Sequence, residues 1–200
     1  MQILGSVFCS SPSTNPLGSV YSPIEVTLGA HNIKEQENTQ QVFCVQNAFP
    51  HPDYNQKKHI NDIILLKLEK KAKLTKAVQL LRLPKGRTQV KPGIRCQVAG
   101  WGRFSPGGRF PSTLQEVEMV VQNDEKCEDP FKKYNRATEI CVGDTKNKNT
   151  LFKGDSGGPL VCNNVAQGIF SYGRKNGKTP CIFIKVSWFL HWIKNTMKES

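Results

Sequence analysis

The sequence lacks several signatures, and each absence narrows what it encodes. No stretch approaches the roughly 18 uninterrupted apolar residues of a membrane-spanning helix, so no span is expected. None of the seven cysteines belongs to a C-x-x-C pair, which sets aside zinc fingers and thioredoxin-type sites. There is no internal repeat, and no Asn-x-Ser/Thr acceptor for N-glycosylation. Acidic residues are scarce: 16 Asp+Glu face 28 Lys+Arg, a formal net charge of +12. Such a surface either repels its own copies or favours polyanions, namely nucleic acid, glycosaminoglycan or an acidic membrane face. No nucleic-acid motif accompanies the charge, so nucleic acid fits least well. Residues 1–8 have no basic residue and too short an apolar run for a secretory leader, and 9–18 read as loop.

What is present is material for a packed core, with 38% hydrophobic residues over 200 positions, enough for one or two domains. The cysteines are scattered, at Cys9, Cys44, Cys96, Cys127, Cys141, Cys162 and Cys181. That pattern points to a disulfide-bearing secretory protein, in conflict with the missing leader, and the cysteines are the better guide. Their odd number leaves a thiol over or pairing between chains; a Cys9–Cys44 bond is one option, burial as small residues another.

Short β-type runs dominate, at 24–28, 41–45, 63–68, 95–99, 114–121, 160–162, 165–171 and 181–186, separated by Pro/Gly/Asn clusters. Strands at this spacing without intervening helices predict an all-β sandwich or barrel. The exception is 187–198, where Phe189, Leu190, Ile193 and Met197 recur at helical spacing behind Ser187 as a cap. The lysines at 57, 58, 67, 70, 71 and 73 read as a solvated face.

The sharpest chemical signal is Gly154-Asp155-Ser156-Gly157-Gly158-Pro159. Glycines on both sides of a serine permit a tight backbone that presents Oγ outward and lets N–H groups converge where an oxyanion would form. With this string the sequence resembles the chymotrypsin-like serine proteases. Asn61-Asp62-Ile63-Ile64-Leu65-Leu66, Val98-Ala99-Gly100-Trp101-Gly102 and Ser171-Tyr172-Gly173 are similar to further landmarks of that family. Residues 26–37, Phe152-Lys153-Gly154-Asp155-Ser156 and the tail from Val186 resemble its granzyme branch, the granzyme B-like proteins in particular. The resemblance covers roughly residues 24–200.

The resemblance implies two antiparallel β-barrels with a cleft between them and a C-terminal helix. Its divisions here are a divergent segment 1–23, a remnant of the first barrel at 24–89, a second barrel at 90–186 and a helix at 187–200. The first barrel is expected to be incomplete, with exposed strand edges. Ser156 becomes the nucleophile, Asp62 the acid that orients a histidine base, and the N–H groups of Gly154 and Ser156 the oxyanion hole. The expected histidine is absent: Gly18 occupies its place and Ser19 that of its partner cysteine. His31, His51, His59 and His191 all read better as structural residues. Asp155 takes the role of the acid that receives a freed N-terminal ammonium in the family; with no such terminus, a loose oxyanion hole is expected.

By the same resemblance Cys96 pairs with Cys162 and Cys127 with Cys141, leaving Cys9, Cys44 and Cys181 unassigned. The primary pocket falls to Thr150, Ser171, Gly173 and Cys181; a neutral Thr150 argues against Lys/Arg preference, and Cys181 stands where an acid-binding arginine would be. Protein or peptide substrates are implied, without cofactor or metal, in a secretory granule or outside the cell. Two functions follow: a granzyme-like endopeptidase, impaired in this chain, or a non-catalytic relative binding glycosaminoglycan through its basic surface.

Overall fold

The computed structural model describes residues 7–9, 24–87, 89–103, 107–143, 155–174 and 177–199. Gly18, Ser19, Thr150 and Gly154 lie outside the described residues, and at 7–9 only the backbone is described. Strands β1 (Val7–Cys9), β2 (Ile24–Leu28), β3 (Gln41–Pro50) and β4 (Ile64–Leu68) form an open antiparallel sheet in that order. Strands β5 (Arg95–Gly100), β6 (Gln115–Val121), β7 (Glu139–Gly143), β8 (Pro159–Cys162), β9 (Val165–Gly173) and β10 (Cys181–Lys185) follow. They close into a six-stranded barrel in the order β10-β7-β6-β5-β8-β9. A short helix α1 (Glu125–Glu128) lies within the barrel sequence, and α2 (Val186–Glu199) follows it. Among the described residues the fold is thus all-β with a terminal helix, one β-unit closed and the other an open sheet.

The alternation of side chains accounts for both cores. In the sheet, Val26, Leu28, Phe43 and Leu68 point to one face and pack with Val78. In the barrel, Val98, Met119, Val142, Leu160 and Phe183 fill the interior, each almost wholly buried. Helix α2 turns Val186, Phe189, Leu190 and Ile193 onto Ile63 and Ile184, joining sheet to barrel. The loop between β2 and β3 makes a second seam. Leu114 N–H donates to the His31 carbonyl at 2.8 Å, Trp101 Nε1–H to the same carbonyl at 3.0 Å, and Ile33 N–H to Ser112 O at 2.8 Å.

Several elements differ from expectation. Residues 7–9, partly read as loop, form a strand pairing Val7 with Val26 and Cys9 with Ile24; an open edge of β2 favours any short β-prone partner. Strand β3 continues five residues past Val45, because β4 pairs with Ala48, Phe49 and Pro50 beyond a bulge. Strand β7 was not expected: all five of its residues are buried, so it shows no alternation. Ser187 is not the cap of α2 but a buried residue inside it, since the helix starts at Val186. Met197 is 37% exposed, off the buried stripe.

Candidate active site

Ser156 is exposed on the turn entering β8. The turn closes through Gly158 N–H to the Asp155 carbonyl at 2.9 Å. It is clamped to β9 by Gly157 N–H to Phe170 O at 2.9 Å and Phe170 N–H to Gly158 O at 2.8 Å. Gly157 has φ +83, a region that side chains avoid, which explains a glycine directly after the serine.

Asp155, by contrast, is 8% exposed, and its Oδ1 accepts the Gly102 N–H at 2.8 Å. A Cβ added to Gly100 or Gly102 would lie 2.3 or 2.2 Å from the Asp155 carboxyl. Gly100-Trp101-Gly102 is therefore a cradle in which the missing side chains make room for a buried carboxylate, held by a charge-assisted bond.

Asp62 is half-buried just ahead of β4, after a turn in which His59 and Asn61 hold φ of 54 and 52. Its Oδ2 accepts the hydroxyl proton of Ser171 at 2.5 Å. Ser171 follows Phe170, the residue clamped to the Ser156 turn, so Asp62 and Ser156 attach to neighbouring positions of β9. The hydroxyl assigned to the pocket is in this structure the partner of Asp62. Gly173 and Cys181 pair across β9 and β10. Cys181 is 1% exposed, its Sγ 3.6 Å from where a Gly173 side chain would start. Neither member of this pair carries a charge.

All four histidines are among the described residues, and none hydrogen-bonds to Asp62 or Ser156. The His51 ring meets Phe189 and Trp192 at 5.3 and 5.0 Å. His59 stacks on Tyr172 at 5.4 Å, and His191 Nε2 pairs with Asn195 Nδ2 at 3.0 Å. His31 stands in the seam loop, where Glu37 accepts its N–H at 2.6 Å. Backbone donors, that of His31 first, hold the Glu37 carboxyl below its usual range.

The sequence reading missed Glu139. It is 4% exposed at the head of β7. It accepts the Tyr172 hydroxyl at 3.2 and 3.3 Å and the Asn135 N–H at 2.8 Å. Burial pushes its carboxyl above the usual range, and the charge of Asp62 acts in the same sense. Tyr172, the residue after Ser171, is also packed edge-on against Phe131 at 5.6 Å. Burial first, and Glu139 next, raise its phenol. A lone glutamate heading an otherwise apolar Glu-Ile-Cys-Val-Gly was the only sequence signal for this carboxylate.

Disulfides join Cys96 to Cys162, with Cα atoms 4.3 Å apart, and Cys127 to Cys141 at 5.8 Å. Cys44 is an exposed thiol on β3, and Cys181 stays outside both bridges. Among the described residues no three His, Cys, Asp or Glu side chains converge as a metal site requires. No described helix is long and apolar enough to cross a membrane.

Known proteins resemble this chain in sequence and fold. The family profile described as Trypsin matches residues 18–193. Human granzyme B (Homo sapiens) is 62% identical over 179 residues, covering 89% of this chain and 72% of the relative. Granzyme B(G,H) of Mus musculus is 60% identical over 180 residues, 90% of this chain and 73% of the relative. A solved chain described as the structure of GrC superposes with a TM-score of 0.85 at 55% identity. That superposition covers 88% of this chain and 78% of the solved one. The clamped Gly-Asp-Ser-Gly-Gly turn, the Asp62–Ser171 pair and these likenesses together establish that the chain belongs to the trypsin family of serine proteases, among its granzyme-like members.

Proposed function

We propose that this 200-residue chain is a granzyme-like serine endopeptidase scaffold whose Ser156 works without a histidine base, so that it cleaves peptide bonds only at a residual level. The observation that carries this reading is that no histidine hydrogen-bonds to Asp62 or Ser156 among the described residues, the rings of His51, His59 and His191 being engaged elsewhere, while Asp62 takes its hydrogen bond from Ser171. A serine hydroxyl is a weak nucleophile at neutral pH until a base removes its proton. Loss of one triad member leaves the stabilisation given by an oxyanion hole and substrate binding alone. In this reading Gly154 and Ser156 supply the oxyanion donors and Asp155, fixed by Gly102, sets the path of the turn between them. The resemblance assigns Thr150, Ser171, Gly173 and Cys181 to a neutral primary pocket, which would suit an apolar or aromatic side chain of a protein substrate.

The test is labelling of the folded chain with a fluorophosphonate, with Ser156→Ala as control. Labelling well below stoichiometric is expected. Stoichiometric labelling that disappears in the control means that a base reaches Ser156 and the reading is wrong.

One observation favours a second, binding function. Lys133 Nζ donates to the Lys57 carbonyl at 2.8 Å, bringing the Lys57-Lys58 turn beside Lys132-Lys133. Four lysines at one seam fit a sulfated polysaccharide in a secretory granule or outside the cell. Retention on heparin that weakens more in Lys57→Glu/Lys133→Glu than in a variant with two lysine-to-glutamate changes away from this seam supports it; unchanged retention rejects it.

A further inference from the structure

Two consecutive residues of β9 send their hydroxyls to two different carboxylates. Ser171 O–H donates to Asp62 Oδ2 at 2.5 Å, and Tyr172 O–H donates to Glu139 at 3.2 and 3.3 Å. Asp62 stands just ahead of β4, and Glu139 heads β7 on the other side of the sequence. The strand register explains how one dipeptide serves both. Against β10, Gly173 pairs with Cys181 and Tyr172 with Ile182, but the next residue of β10, Phe183, pairs with Phe170. Ser171 is therefore the extra residue of a β-bulge, unpaired with β10 and turned out of the strand's alternation. The Tyr172 ring also stacks at 5.4 Å on His59, three residues before Asp62. Tyr172 is thus tied to Asp62 twice, through its neighbour Ser171 and through the turn that leads to Asp62.

Ionisable groups from several elements face Glu139. Besides Tyr172 of β9 they are Asp62, Lys185 at the end of β10, and Tyr134 from the loop before β7. Lys185 Nζ donates to the Arg136 carbonyl, with Asp124 and Arg136 acting on its charge, and burial pushes its ammonium group down. Lys185 favours a charged Glu139, whereas burial and Asp62 oppose one. Ionised, Glu139 accepts a charge-assisted bond from Tyr172; protonated, it offers a neutral one about half as strong. We infer that Glu139 is a positioning residue for Asp62: its charged form anchors the Tyr172 limb of the bulge and so keeps Ser171 on Asp62, and its protonated form lets that contact loosen. Loosening would leave Asp62 Oδ2 open to a donor on a bound substrate. The link belongs to the folded chain and is independent of whether Ser156 reacts.

The test follows the full chain by NMR between about pH 4.5 and 7, recording the Glu139 carboxyl carbon together with the Ser171 amide. The Ser171 signal is expected to move with the same midpoint as the Glu139 carboxyl. In Glu139→Gln, which leaves Asp62, His59 and Lys185 in place, that movement should be lost. Tyr172→Phe keeps the ring on His59 and removes only the hydroxyl; there Glu139 should still titrate and Ser171 should no longer follow it. Unfolding supplies a second measurement. At pH 7 Ser171→Ala should cost less stability in the Glu139→Gln background than in the parent, and near pH 4.5 the two losses should converge. A Ser171 signal that ignores the Glu139 titration would overturn the inference. So would movement that persists in Glu139→Gln, which assigns it to His59 or Asp62, or in Tyr172→Phe, which makes it an effect of charge through space. Additive losses for Ser171→Ala and Glu139→Gln at pH 7 would overturn it as well.

Discussion

The hydroxyl of Ser171 meets Oδ2 of Asp62 across 109 positions of sequence, tying the open sheet to the barrel at the point where the serine turn is clamped. A hydrogen bond to a charged, half-buried carboxylate is worth about 1.5–3 kcal/mol. Ser171→Ala should lower stability by that amount, read as a shift in the urea midpoint. Asp62→Asn, whose amide oxygen still accepts the bond, should cost about half as much. Equal losses for the two variants would mean that the charge, not the bond, matters.

Gly102→Ala tests the cradle of Asp155. The new methyl group would lie 2.2 Å from the carboxyl, so either the strand end or the serine turn must move. We expect a loss of about 2–4 kcal/mol, the range for overpacking with disruption of a buried charged bond. Gly86→Ala is the control: it also needs care, since its φ is +70, but nothing lies within 4 Å of the added atom. It should cost about 1 kcal/mol. Thermal unfolding separates the two.

Glu139 gives the fold a pH dependence with a definite sign. Its carboxyl is raised in the folded state above its ordinary 4.5. Below that value both states hold the proton and the folded state carries no penalty. As the pH rises from 4.5 toward the folded value, the unfolded chain ionises first and stability falls. Glu139→Gln keeps an acceptor for Tyr172 and Asn135 but does not titrate. Its melting temperature should gain on that of the parent between pH 4.5 and 7; a constant difference over that range would contradict the assignment.

The two disulfides should not contribute equally. Cys127–Cys141 spans 14 residues of sequence and Cys96–Cys162 spans 66. Loop-closure entropy assigns them about 3 and about 4.4 kcal/mol. Paired Cys→Ala replacements at each bridge, compared by denaturant unfolding under identical conditions, should preserve that order.

Strands with one dry face were readable as sequence. Ile24–Leu28 matched its expected limits because Val26 and Leu28 are buried and their neighbours are not. Strand β7, buried along its whole length, carries no such rhythm, and the largely exposed extension of β3 exists only because β4 pairs with it. The site was half legible for a similar reason. Ser156 and Asp62 sit in short, dense motifs, but the bond from Ser171 to Asp62 joins residues whose proximity no local pattern records. Glu139 stayed hidden because its importance lies in what surrounds it: a tyrosine hydroxyl, a backbone donor and a second carboxylate contributed by distant segments.

Helix α2 follows every described strand in the chain, and the contact of its apolar stripe with Ile63 joins sheet to barrel. During synthesis, the sheet leaves the ribosome first, then the barrel, and the helix that packs over Ile63 and Ile184 after both. Until that helix emerges, contacts such as the seam loop and the Ser171–Asp62 bond hold sheet to barrel while the Ile63 surface stays uncovered, the interval in which chaperone capture or aggregation competes with folding.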